Sequence, residues 1–130
     1  MSNDQTIEQE IQAKGLTAPR ITPDAIEANV IDELYFTALD GYAGTQPGTA
    51  DDYRYGRINS HVFGLLTFCV LVLKNGFTVT GESACASQEN FDAEIGRKIA
   101  RQNAVQKIWP LMGYSLRSKL SAPSSGAQVG

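Results

Sequence analysis

Residues 66–83 read LTFCVLVLKNGFTVTGES, and this stretch decides the fold. An apolar run rich in β-branched residues leads into Asn75-Gly76, and an alternating strand follows. Asn-Gly favours a type I′ turn, because both central positions of that turn have a positive φ. The sequence therefore predicts a β-hairpin with a two-residue turn, in which Val72 pairs with Val79.

The first strand of this hairpin is apolar on both faces. One face carries Leu66, Phe68, Val70 and Val72, and the other carries Cys69, Leu71 and Leu73. Because a lone two-stranded hairpin is not stable in water, both faces need a cover. We expect the C-terminal helix on one face and either the N-terminal helix or a second copy of the chain on the other. The pattern thus predicts a homodimer or higher oligomer, with four interface candidates: Leu71, Leu73, Trp109 and Tyr114.

Helical spacing appears on both sides of the hairpin. Thr22-Pro23 supplies an N-cap followed by Pro at the first helical position, and the pattern after it predicts a helix over residues 23–37. A longer apolar stripe over residues 91–120 predicts a C-terminal helix. Pro110 is expected to kink or restart this helix.

The predicted fold class is α+β: a front helix, a long loop, one tight antiparallel β-hairpin and a long C-terminal helix that packs on it. A length of 130 residues suits one domain, which we place over residues 22–120. Residues 1–21 are expected to form an N-terminal arm or short helix that stops at Gly15. Residues 121–130, rich in Ser, Gly and Ala, are expected to form a disordered tail.

Residues 40–60 are rich in glycine and tyrosine and show no periodicity, which predicts a long loop. Long loops often carry binding residues, and tyrosine and arginine are typical of contact surfaces. The binding candidates in this loop are Tyr53, Arg54, Tyr55 and Arg57. The alternative is a tolerated insertion without a role in binding.

Charge is divided unevenly along the chain. Residues 1–60 hold ten acidic and four basic residues, whereas residues 91–130 hold six basic and two acidic ones. The cations of the last helix are candidates for binding a partner or an anion, including nucleic acid. They are Arg97, Lys98, Arg101 and Lys107. A pI near 5.0 and the lack of a nucleic-acid motif leave an ordinary solvated helix face as the alternative.

The sequence contains no convincing catalytic or metal-binding pattern. Gly81 to Cys85 reads GESAC, close to the G-x-S-x-G nucleophile elbow, but the last glycine is missing and His61 is the only histidine. The chain therefore predicts no enzymatic activity, no cofactor and no metal site. Cys69 and Cys85 fit free thiols in a reducing cytosol. No apolar run approaches the roughly 20 residues of a membrane span, so we expect a cytoplasmic protein.

Three motifs in the second half of the chain resemble a known family. They are N-G-F-x-V-x-G-E-S-A at 75–84, N-F-D-x-x-I-G-x-x-I-A at 90–100 and I-W-x-L-x-G-Y at 108–114. Together with RITPDAIEANV at 20–30, they are similar to a family of small tailed-bacteriophage proteins of unknown function, the gene-product forty-nine/sixty-six family. The resemblance implies a protein made in the host cytoplasm, and it carries over no catalytic residue.

The resemblance and the absence of a catalytic pattern favour one hypothesis for function. We expect a non-enzymatic phage accessory protein that binds a host factor or a small signalling molecule, with counter-defence as one possible role. The alternative is a nucleic-acid-binding accessory protein that uses the basic face of the C-terminal helix.

Overall fold

The computed structural model describes residues 3–45 and 60–123 of the chain. The contacts within it form two compact units, one of residues 3–29 and 108–123 and the other of residues 30–45 and 60–107. We call them the helical unit and the sheet unit. The prediction that residues 22–120 form one domain stays a prediction.

The described elements are α-helices, β-strands and one 3-10 helix. In chain order they are α1 (Asn3–Ala13), α2 (Pro23–Ala28), β1 (Val30–Thr37), α3 (Ala38–Thr45), α4 (Ser60–Phe63), β2 (Leu66–Leu73), β3 (Thr78–Ala84), the 3-10 helix (Gln88–Asn90), α5 (Ala93–Gln106) and α6 (Ile108–Ser121). The strands form one antiparallel sheet in the order β1-β2-β3. The α+β class predicted from the sequence is therefore confirmed.

The predicted helix over residues 23–37 is wrong in its second half. The Thr22 hydroxyl caps α2 by accepting the Ala25 N–H at 3.0 Å, but this helix ends at Ala28 and β1 begins at Val30. Val30 to Thr37 is rich in β-branched and aromatic residues, which favour a strand. β1 pairs with β2 from Thr67 to Leu73. This pairing satisfies backbone N–H and C=O groups on the edge of β2 that a two-stranded hairpin would leave without hydrogen bonds.

The predicted hairpin is confirmed, but its register is wrong by one residue. Val79 pairs with Leu71, and the Leu73 N–H donates to the Phe77 carbonyl at 2.8 Å. Three residues therefore form the loop, and only Gly76 among them has a positive φ, of 88°. A three-residue loop with glycine in the left-handed position is the second common hairpin solution, and it too uses Asn-Gly.

Helix α5 covers the sheet face that carries Thr67, Cys69 and Leu71, as predicted for the C-terminal helix. It does so mainly with small residues, and Val105 is the member of the predicted apolar stripe that is buried within this helix. Gly96, Ala100 and Ala104 are buried, whereas Ile95 and Ile99 remain 55% and 42% exposed. A Cβ on Gly81 of β3 would overlap the Ala100 carbonyl oxygen and the Ala104 amide nitrogen, and it would lie 2.9 Å from the Asn103 carbonyl carbon. The missing side chains thus let the helix backbone lie directly on the strand.

Helix ends follow local sequence signals. Asp92 caps α5 by accepting the Ile95 N–H at 3.0 Å. Ser87 caps the short 3-10 helix. Pro110 lies in the first turn of α6, where no N–H is needed, so the predicted restart of the helix is confirmed.

The helical unit consists of α1, α2 and α6. The segment between α1 and α2 is held by Arg20, whose guanidinium donates to both carboxylate oxygens of Glu8. The Trp109 indole N–H donates to Asp4 at 3.2 Å and so joins α6 to α1. The Arg20 guanidinium holds the pKa of the Glu8 carboxyl below its usual value. Helix α1 stops before Gly15, whose φ is 69°, as predicted.

Candidate binding surfaces

The sheet face opposite α5 is the strongest candidate site. We define the open face by five apolar residues: Leu34, Phe36, Phe68, Val70 and Val72. The pairing places Leu34 beside Val70 and Phe36 beside Phe68, and the two phenylalanine rings stack with centroids 5.3 Å apart. Leu34 is 58% exposed and the other four are partly exposed. Apolar surface gathered in this way is typical of a contact site.

The border of the open face carries negative charge. Glu82 pairs with Phe68 in the sheet and therefore lies on the same face, at one end of the phenylalanine row. Its carboxylate has no ion pair among the described residues. Asp32 lies at the other end of the face, beside Val72, and its carboxylate accepts the backbone N–H of Glu33 at 2.9 Å. The open face therefore has a carboxylate at each end.

The four interface candidates from the sequence separate in the structure. Leu71 and Leu73 are buried, with exposures of 0% and 4%, on the same face of β2 as Thr67 and Cys69, the face that α5 covers. In the helical unit, Trp109 is partly buried and Tyr114 is 78% exposed. An oligomer built on β2 would therefore use the open face rather than Leu71 and Leu73. Oligomerisation itself stays a prediction.

The cations predicted to bind a partner are partly engaged within the chain. The Arg101 Nε atom lies 2.9 Å from a carboxylate oxygen of Glu33, and Lys98 Nζ lies 3.3 Å from Glu94. The Arg97 and Lys107 side chains are exposed. The internal ion pairs reduce the positive field that an anionic partner would meet on this side of α5.

Glu33 joins β1 to α5 through a small polar cluster. The Tyr35 hydroxyl donates to the same Glu33 oxygen that accepts from Arg101. These two donors hold the pKa of Glu33 below its usual value, with the tyrosine contact as the larger cause. Burial raises the pKa of Tyr35 and of the neighbouring Cys69 thiol. The cluster stabilises a helix–strand contact, and Cys69 is fully buried and therefore unreactive.

The residues that resembled a nucleophile elbow do not form one. Gly81 and Ser83 lie within β3, which continues to Ala84, so the sharp strand-to-helix turn that exposes a nucleophile is missing. The Cys85 thiol donates to the Ser87 carbonyl at 3.1 Å. His61 lies on α4 and is exposed.

Several predictions fall on parts of the chain that the structure does not describe. Tyr53, Arg54, Tyr55 and Arg57 lie outside the described residues, as does most of the predicted tail. Within residues 3–45 and 60–123, no group of three or more His, Cys, Asp and Glu side chains could hold a metal ion. In the same ranges, no helix has both the length and the apolar character needed to cross a membrane.

Sequence reasoning missed Leu34 and Phe36 as site residues, because it placed them on a helix. The signal was nevertheless present. β2 is apolar on both faces, as expected for a central strand, and a central strand has a paired neighbour on each edge. Tyr35, Phe36 and Thr37 are residue types that favour a strand.

The fold and the motifs together define a class: a small α+β protein of bacteriophage type. The family model described as Phage protein (N4 Gp49/phage Sf6 gene 66) family matches residues 21–120, and the chain belongs to this family. It is therefore a bacteriophage protein, as the motifs indicated. No curated protein and no solved structure matches the chain significantly.

Proposed function

We propose that this phage protein is a non-enzymatic accessory protein that binds a host protein through the open face, in the cytoplasm of the infected cell. The observation that carries the proposal is the exposed apolar surface around Leu34, Val70 and the stacked pair Phe36–Phe68. A sheet face is flat and suits a protein partner, whereas small ligands bind in concave sites. Counter-defence is one role that such binding would serve, and the small signalling molecule is the less favoured ligand.

Capture from host lysate tests this proposal when wild-type protein is compared with two matched variants. Leu34→Glu adds a charge to the open face, and Ile95→Glu adds the same charge to α5 at nearly equal exposure, 58% against 55%. We expect a host protein to be captured by wild type and by Ile95→Glu and to be lost with Leu34→Glu. Equal capture by all three proteins would contradict the proposal.

Nucleic-acid binding by Arg97, Lys98, Arg101 and Lys107 is the second candidate, and the internal ion pairs of Arg101 and Lys98 weaken it. A gel-shift titration at two salt concentrations decides between the two candidates. Salt-sensitive binding that is lost in Arg97→Ala/Arg101→Ala would favour nucleic acid, because each phosphate contact contributes to the salt dependence. We expect no binding that depends on these two arginines.

A further inference from the structure

The dimensions of the open face limit what can cover it. β1 and β2 each have eight residues. At about 3.4 Å per residue and about 4.8 Å between strands, three strands give a face of about 27 by 14 Å. An α-helix with its side chains is about 10–12 Å wide, so one helix of about 18 residues fills this face.

A second copy of the chain fits the open face less well. The open face has a footprint of about 400 Å², half of the roughly 800 Å² per partner that a stable dimer buries, and an area of this size suits the transient binding of a single helix. Two copies would also bring the same carboxylates, Asp32 and Glu82, to one interface, where like charges oppose association. On the other side of the sheet, the single helix α5 covers β2 and β3, so one face of this sheet is already covered by one helix.

The carboxylate of Glu82 also favours a partner with positive charge at one end of the open face. It lies at the phenylalanine end of the open face, without an ion pair among the described residues. A partner with lysine or arginine at this place would form a new ion pair at the border of the interface, where such pairs favour the correct orientation and a faster encounter.

We propose that the open face binds one amphipathic α-helix of a partner protein, with basic residues on the side of that helix next to Glu82. The bound helix forms a second helical layer, so that the sheet lies between α5 and the partner. Its apolar residues, spaced by three and four, contact Leu34, Val70 and Phe68. This inference rests on the proposed function, since it names the kind of host segment that the open face recognises.

Peptide display on the full-length protein tests the inference. One library of 18-residue peptides has apolar residues at helical spacing and random flanking positions, and a second library has apolar residues in strict alternation. We expect enrichment from the helical library, with lysine and arginine on one flank. Enrichment from the alternating library alone, or from neither library, would overturn the proposal.

Affinities of the enriched peptides, measured by fluorescence anisotropy, locate the binding site. We expect Leu34→Glu to weaken binding at least about tenfold and Ile95→Glu to leave it unchanged, since a buried charge opposes docking. Thr80→Arg, an exposed position on the same face, provides a second variant that does not alter an apolar residue. Equal binding to wild type and Thr80→Arg would refute this site. Circular dichroism confirms the fold of each variant.

A charge reversal tests the role of Glu82. Glu82→Lys should weaken basic-flanked peptides about fivefold and strengthen the same peptides with glutamate flanks, because the ion pair becomes a repulsion. Glu89→Lys makes the same change on the 3-10 helix and should have no effect. Identical responses of the two variants would show that Glu82 does not select the partner's charge.

Two further results separate this inference from the proposed function. A host protein whose capture depends on Leu34, combined with no enrichment of helical peptides, would retain the proposed function and reject the helix. A dimer seen by light scattering and lost in Leu34→Glu would assign the open face to a second copy and reject both.

Discussion

Replacing Gly81 by alanine tests the central contact of the sheet unit. The added Cβ would overlap backbone atoms of Ala100 and Ala104 and lie 2.9 Å from the Asn103 carbonyl carbon. Backbone atoms cannot rotate away as the end of a side chain can, so α5 or β3 must shift. Gly81 has no positive φ, and alanine therefore adds no conformational strain of its own. Any loss of stability reports the collision.

The magnitude follows from the cost of overpacking, which is about 1–3 kcal/mol for an extra methyl group in a well-packed core. We expect the upper end, about 3 kcal/mol, because the collision involves the helix backbone and not a movable side chain. The free energy of unfolding of a domain is about 5–15 kcal/mol, so the expected loss is a large fraction of it. For a protein of this size, the loss corresponds to a decrease in Tm of about 10–20 °C.

Thermal and urea unfolding, followed by circular dichroism, measures the effect. Gly113→Ala on α6 is the matched control, since a Cβ there meets no atom within 4 Å. It should raise stability by about 0.5–1 kcal/mol, because alanine is favoured over glycine inside a helix. If the free energy of unfolding of Gly81→Ala lies within about 0.5 kcal/mol of the wild-type value, the position behaves like an exposed surface position. That result would refute the helix–strand contact.

Three further changes probe other details of the structure. Thr67 is 2% exposed and its hydroxyl has no hydrogen-bond partner among the described residues, so Thr67→Val should raise the free energy of unfolding by about 1 kcal/mol in a urea titration; a loss would reveal a partner for the hydroxyl. Gly76→Ala should lower it by about 1–2 kcal/mol, because the φ of 88° is unfavourable for alanine, and an unchanged midpoint would contradict the assigned loop. Glu33→Gln should cost about 0.5 kcal/mol at pH 7, a small value because the Glu33 side chain is 40% exposed. The lowered pKa of Glu33 stabilises the fold above its unfolded-state pKa of about 4.3, and this contribution is lost as the pH falls through the lower folded value. The difference between wild type and Glu33→Gln should therefore decrease as the pH falls below about 4.3, and a constant difference would contradict the assigned contacts of Glu33 with Tyr35 and Arg101.

Local signals in the sequence predicted several helix ends. Thr22-Pro23, Gly15 and Pro110 act within a few residues of their own position, through capping, a positive φ or a missing N–H. The hairpin at Asn75-Gly76 was also predictable. Its register was not, because the same dipeptide serves a two-residue and a three-residue loop, and Leu71 against Val79 had to be selected by burial.

Predictions that depend on tertiary contacts failed in two places. Ile26, Val30, Ile31 and Leu34 have helical spacing, but β2 needs a partner on its free edge, and this need outweighs the local pattern after Asn29. In α5, Ile95 and Ile99 indicated the wrong face, although Val105 is buried as the pattern predicted. A helix that lies directly on a strand needs small side chains, so Gly96 and Ala100 are buried while Ile95 is exposed. Hydrophobic periodicity gives little weight to glycine and alanine and cannot detect such a contact.

Only the β2 part of the open face could be predicted from the sequence, because the β1 part depends on tertiary contacts. The first strand clearly had a second apolar face, with Phe68, Val70 and Val72. That a partner or another part of the chain covers this face stays a prediction. Leu34 and Phe36 joined this face only when β1 paired with β2. A larger apolar surface with a carboxylate at its border then replaced the basic side of α5 as the better candidate for binding.

One measurement tests the role of the open face most directly. Host proteins captured by wild type, Leu34→Glu and Ile95→Glu are quantified side by side by mass spectrometry. Binding through the open face predicts a host protein whose recovery decreases at least about tenfold with Leu34→Glu and stays at the wild-type level with Ile95→Glu. Equal recovery with both variants, or a loss only with Ile95→Glu, would contradict binding through this face.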